Sequence, residues 1–175
     1  MSGTAQRPVV VLVGPPGSGK STVGGLLAQR LGVDLRDTDA DIVAATGQQI
    51  SDIFVDHGEA RFREMEREAV GAALREHTGV LALGGGAVLD EGTRLALEGH
   101  HVVYLQVGLP DAARRVGLDT SRPLLLGNVR GRLKALLDER APLYRAVATL
   151  AVDTSGRSPD DIADEITAGI EGAVR

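Results

Sequence analysis

The chain has 175 residues, 43% hydrophobic and 25% charged, with a net charge of −5, no cysteine and 2% aromatic residues. This is the make-up of one globular domain. It excludes disulfides, thiol nucleophiles and Cys-ligated zinc, and an acidic, aromatic-poor surface argues against a nucleic-acid partner.

No apolar run approaches the ~18 residues of a membrane span. Residues 1–7 read as a short disordered tail with no leader pattern, so a cytoplasmic location is expected. Val9–Val13 is a continuous, mostly β-branched run closed by Gly14, the pattern of a strand buried on both faces. Ser21–Leu31 reads as a helix ended by Gly32, and Val33–Leu35 as a second strand. A helix through Ile42–Ala45 stops at Gly47, and another over Ser51–His57 stops at Gly58. Glu59–His77 is the longest helical stretch. Phe62, Met65, Glu66, Ala69, Val70, Ala73 and Leu74 recur on one face, and Gly79 ends it.

Val80–Leu83 is a third strand, met at once by Gly84-Gly85-Gly86. A helix over Asp90–Leu97 and a strand over His101–Val107 follow, then a helix over Pro110–Val116. Leu118–Asn128, with Pro123 and Gly127, has no period and reads as a long functional loop. Arg130–Ala146 is helical with a bend or restart at Pro142. Thr149–Asp153 is a fifth strand, and Pro159–Gly169 a last helix with Ser158 as candidate cap. Strands alternate with helices throughout. The expected fold is one α/β domain over residues 1–175, a three-layer α/β/α sandwich on a five-stranded parallel sheet, with ligands at the carboxyl ends of the strands.

Gly14-Pro15-Pro16-Gly17-Ser18-Gly19-Lys20-Ser21 is a complete P-loop placed between a strand and a helix. Its glycines let backbone N–H groups converge on phosphate, and the helix adds its positive end. Gly17, Ser18, Gly19, Lys20, Ser21 and Thr22 are the candidate nucleotide-binding residues. Lys20 supplies charge to the β- and γ-phosphates, and Ser21 a hydroxyl to Mg²⁺. The two prolines remove two N–H donors at the loop entrance.

Asp37-Thr38-Asp39 follows the second strand. In an extended stretch residues two apart point the same way, so both carboxylates would face one site. Asp37 would bind Mg²⁺ directly or through water, and Asp39 would accept from a substrate hydroxyl; Asp39 is also a candidate helix cap. Gly84, Gly85 and Gly86 allow close approach to a ligand and offer N–H groups to an anion, the alternative being a flexible loop. Arg63 is a candidate anion ligand steadied by Glu66 at i+3, or one half of a solvated ion pair. Arg140, before Ala141-Pro142-Leu143-Tyr144, is either a ligand or a surface charge. Arg122, before Pro123, suits a lid closing over a γ-phosphate, or a plain exposed loop. Arg61 is expected to face solvent, and His57, His77, His100 and His101 carry no expected chemistry.

Taken in this order, the P-loop, Asp-Thr-Asp, Phe62-Arg63, Gly-Gly-Gly, Arg122-Pro-Leu and Arg140-x-Pro-Leu-Tyr resemble the shikimate kinase family, over about Val9 to Pro159. The resemblance implies strand order 2-3-1-4-5 and ATP-dependent phosphorylation of the 3-hydroxyl of shikimate, a step towards chorismate and the aromatic amino acids. It implies a substrate-binding helical region at about 38–76 and a lid at about 118–130. By position it assigns Asp39 to the shikimate hydroxyl, and Arg63, Gly85 and Arg140 to the remaining contacts. Ser21 and Asp37 take the magnesium, Arg122 the lid, and Arg115, Arg157 and Pro159 the adenine side. Lys20, Asp39 and Arg122 form the expected catalytic set. The substrates are ATP and shikimate, with neither nucleic acid nor membrane, and a monomer is expected. Gluconate kinase, a nucleoside monophosphate kinase and a nucleotide-binding regulator without turnover are the rival readings.

Overall fold

The computed structural model describes residues 6–117 and 129–174. The strands are β1 (Val10–Val13), β2 (Leu35–Asp37), β3 (Val80–Ala82), β4 (Val102–Gln106) and β5 (Leu150–Asp153). They form one sheet in the order β2-β3-β1-β4-β5, every pairing parallel. The helices are α1 (Lys20–Leu31), α2 (Thr38–Thr46), α3 (Ile50–Glu76), α4 (Glu91–Ala96), α5 (Leu109–Gly117), α6 (Val129–Val147) and α7 (Pro159–Val174), with a 3-10 turn at Ala87–Leu89.

β1 is buried along its whole length, as its unbroken apolar run requires at the centre of a parallel sheet. Its side chains alternate between the two faces. Val11 and Val13 join Val70, Leu74, Leu81, Tyr104 and Tyr144 in one core. Val10 and Leu12 join Val23, Leu27, Val103, Ile162 and Ile166 in the other. A separate cluster of Ile42, Ile53 and Phe62 knits α2 to α3.

Several local readings shift. The second strand lies at Leu35–Asp37 rather than Val33–Leu35, because Leu35 pairs with Val80 and Asp37 with Ala82. The helical stretches on either side of Gly58 form α3, kinked where Gly58 takes φ 85° and ψ 165°. α6 passes through Pro142 as one helix. Gly79 does not end α3, which closes at Glu76 with His77 as its cap. Instead Gly79 sits so close to the Asp34 carbonyl that a Cβ would not fit. Arg7, expected in a disordered tail, donates to the Gly99 carbonyl at 2.8 Å. The rest of that tail, residues 1–5, and the loop Leu118–Asn128 with Arg122 lie outside the described residues.

Candidate active site

The parallel registers bring the carboxyl ends of β1, β2 and β3 to one edge, where the P-loop, Asp37 and the glycine loop begin. Gly17 (φ 79°) and Gly19 (φ 91°) adopt the left-handed backbone that lets the P-loop turn into α1. No side chain caps the N-terminus of α1, so its first N–H groups are left for an anion. Lys20 Nζ donates to the carbonyls of Gly14 at 2.7 Å and Pro15 at 3.1 Å. The Ser18 N–H also donates to Pro15. The prolines thus lose donors, but the Pro15 carbonyl braces the loop. Ser21 and Thr22 are exposed in the first turn. Arg115 reaches back from α5 to the Gly17 carbonyl at 2.8 Å, which places it on the P-loop.

Asp37 and Asp39 are not on one extended segment. The chain turns helical at Thr38, and Asp37 is the N-cap of α2, one carboxylate oxygen accepting from the N–H groups of Asp39 (2.8 Å) and Ala40 (3.3 Å). Capping therefore falls to Asp37, and Asp39 sits in the first turn. The second oxygen of Asp37 has no partner among the described residues.

The glycine loop is where the site closes up. A Cβ on Gly84 would lie 2.6 Å from Asp39 Oδ1 and 2.9 Å from Glu66 Oε2, and one on Gly86 would lie 2.7 Å from Arg63 Cζ. On Gly85 it would meet Pro16 Cδ of the P-loop at 3.2 Å. Only glycine lets Asp39, Glu66 and Arg63 approach this backbone, so the flexible-loop alternative fails. Arg63 Nη1 donates to Glu66 Oε1 at 2.9 Å, and Nη2 to Glu59 at 3.3 Å. The Glu66 side chain is only 4% exposed, which overturns the solvated-pair reading. Burial pushes the Glu66 carboxyl up, against the pull of Arg63 and Arg140, and the Asp39 charge adds to the rise.

Arg140 is 7% exposed rather than a surface charge, and its field reaches both Glu66 and Tyr144. Arg61 faces solvent and pairs with Glu64, as expected. Arg157 ties β5 to α7, donating to the Asp153 carbonyl and pairing with Glu165 at 2.7 Å. Pro159 opens α7, whose Asp161 N–H bonds to Ser158 Oγ at 3.1 Å. Thr38 and Tyr144 were not singled out from sequence for the site, yet both bond the glycine loop. The readable signals were Thr38's place between two carboxylates and Tyr144's place at i+4 from Arg140.

Comparison with known proteins supplies the family. The family model described as Shikimate kinase matches residues 16–171. The chain belongs to the shikimate kinase family. It is 59% identical over 169 residues to a shikimate kinase of Thermobifida fusca, covering 97% of this chain and 98% of that one. It is 64% identical over 161 residues to one of Salinispora arenicola, covering 92% and 96%. A solved shikimate kinase from Acinetobacter baumannii, in complex with shikimate, superposes with a TM-score of 0.91 at 36% identity, covering 96% and 94%. Shikimate kinases are enzymes that move phosphate from ATP to shikimate, and this is the chain's activity. Gluconate and nucleoside monophosphates are set aside as principal substrates, as is a regulator without turnover. No helix among the described residues is long and apolar enough to cross a membrane.

Proposed function

We propose that the edge formed by the P-loop, Asp37–Asp39 and Gly84–Gly86 binds ATP and shikimate side by side and directs the γ-phosphate to the 3-hydroxyl. The observation that carries this reading is the convergence of Asp39, Glu66 and Arg63 on the glycine loop, itself packed against Pro16 of the P-loop. Arg63 and Arg140 are the cations for the shikimate carboxylate, since guanidinium forks match a carboxylate in two bonds. Glu66 holds the Arg63 fork in place. The Gly85 and Gly86 N–H groups have no acceptor among the described residues and complete that pocket. Asp39 orients the attacking hydroxyl and takes its proton late, which a loose phosphoryl-transfer transition state permits.

On the nucleotide side, Gly17, Ser18, Gly19, Lys20, Ser21 and Thr22 cradle the phosphates. Lys20 swings from the carbonyls of its own loop to the charge that develops between β- and γ-phosphates. Arg115 and Pro159 line the adenine side, and Arg157 belongs to that same nucleotide side. Arg122 is the lid cation.

The residues also fit magnesium. The exposed Ser21 hydroxyl and the second Asp37 oxygen are two oxygen donors beside the phosphates, and Mg²⁺ characteristically takes one or two protein ligands there, with waters and phosphate. Among the described residues no cluster of three or more His, Asp or Glu offers a self-sufficient cage. When bound, Mg²⁺ neutralises phosphate charge. Among the described residues the exposed large hydrophobics are Leu35, Val55 and Leu95, and we read the chain as a monomer.

Phosphorus and proton NMR of the product test the regiochemistry. Phosphate on the 3-hydroxyl supports this placement of Asp39, and phosphate on another hydroxyl contradicts it. For the metal, Ser21→Ala and Asp37→Asn should each raise the Mg²⁺ concentration needed for half-maximal rate.

A further inference from the structure

Three successive glycines have no side chains with which to fix their own peptides, and a glycine peptide flips at little steric cost. Two hydroxyls on other elements fix them. Thr38 Oγ1, on a fully buried residue, accepts the Gly84 N–H at 3.2 Å. The Tyr144 hydroxyl donates to the Gly85 carbonyl at 2.5 Å, and its ring packs tilted against that of Tyr104, 5.0 Å between centroids. The Gly84 and Gly86 carbonyls are taken by the N–H groups of Ala87 and Leu89. Only the Gly85 and Gly86 N–H groups remain without an acceptor among the described residues.

The geometry of a trans peptide gives this arrangement its consequence. The chain has no cis bond among its described residues, and a trans peptide points its C=O and N–H in opposite directions. With the Gly85 carbonyl held on Tyr144, the Gly86 N–H must point away from it, and Gly86 is the glycine packed on the Arg63 guanidinium. Flipped, the same peptide would present an oxygen to the anion. We propose that Thr38 and Tyr144 are positioning residues: Thr38 anchors the start of the glycine loop through the Gly84 N–H, and Tyr144 holds the Gly85 carbonyl, so that the Gly85 and Gly86 N–H groups face the substrate carboxylate. Preference for an acid thus depends on two hydroxyls that do not themselves contact it. This inference rests on the carboxylate pocket proposed above.

The test uses the full chain with Tyr144→Phe and Thr38→Val, both close in shape to the original residues. Rates are measured with shikimate and with its uncharged carboxamide. Each variant should raise KM for shikimate about 3- to 10-fold, the size of one lost hydrogen bond. KM for ATP, and KM for the carboxamide, should stay within about twofold, so the preference for the acid narrows by the same factor. A lower melting temperature with kcat reduced alike for both substrates, and the preference intact, would overturn the proposal. If Tyr144→Phe yields no folded protein, Thr38→Val carries the same expectation alone. A wild-type enzyme that does not distinguish acid from carboxamide would instead sink the pocket reading. Full discrimination kept by both variants would sink this inference only.

Discussion

Asp39 and Glu66 meet above the Cα of Gly84, so that a single methyl group there would touch Oδ1 of one and Oε2 of the other. Two carboxylates are brought onto one backbone atom, and the charges of Arg63 and Arg140 make this tolerable. The side proposed for the substrate is therefore built from a balance of two acids and two arginines around a loop with no side chains.

Gly84→Ala tests that balance directly. The added methyl displaces both carboxylates, and a misplacement of this size near the reacting group costs on the order of 10²-fold in rate. The expected result is kcat/KM for shikimate down by about that factor, with an unchanged circular dichroism spectrum. Near-normal turnover would mean that the Asp39 and Glu66 positions do not matter.

Lys20→Ala removes the ammonium that braces the loop at Gly14 and Pro15. If it also serves the transition state, kcat falls by ~10²-fold or more. Coupled ADP-release kinetics check this.

Arg63→Ala should chiefly raise KM for shikimate, because the carboxylate it is proposed to bind does not react. It also strips the buried Glu66 of its hydrogen-bonded partner, and an uncompensated buried charge destabilises by ~3–5 kcal/mol. Adding Glu66→Gln should recover most of the denaturation midpoint and none of the KM. Recovery of both would make Arg63 a structural residue only.

Much of this was legible in the chain itself. β1 declares itself by five consecutive apolar residues, and the P-loop by a pattern whose glycines have no substitute. Gly32 and Gly47 stop α1 and α2 in the left-handed conformation expected of them. β2 was misplaced because Val33 carries the stronger strand signal, whereas pairing with β3 decides, and an edge strand with a half-exposed Leu35 shows little pattern. The Asp37–Asp39 geometry was misread because capping turns the chain helical one residue after Asp37. The burial of Glu66 was hinted at by its place on the apolar face of α3, whereas that of Arg140 was invisible because charge in a sequence does not reveal what packs over it. Tyr144 bonds a loop 59 positions away, a relation no local pattern holds.

Tyr144 also gives a pH signature. Burial pushes its phenol up to about 12 from the ordinary 10.0, outweighing the opposing pull of Arg140. Below 10 the phenol is protonated in both folded and unfolded chains. Between 10 and about 12 the unfolded chain loses the proton and the folded one keeps it. Stability therefore falls as pH rises, by about 1.4 kcal/mol per unit from this group. Denaturant midpoints of wild type and Tyr144→Phe across that window should converge with rising pH. The chain has two tyrosines and no tryptophan, so tyrosinate absorbance reports only Tyr104 and Tyr144, and the variant should lose the later step.

Coupled ADP release with ATP, Mg²⁺ and shikimate, beside gluconate and no-acid controls, tests the central claim most directly. Release that depends on shikimate, and that disappears in Asp39→Asn while ATP still binds, is the predicted result. Release driven by gluconate instead, or shikimate turnover untouched by the loss of the Asp39 charge, would contradict it.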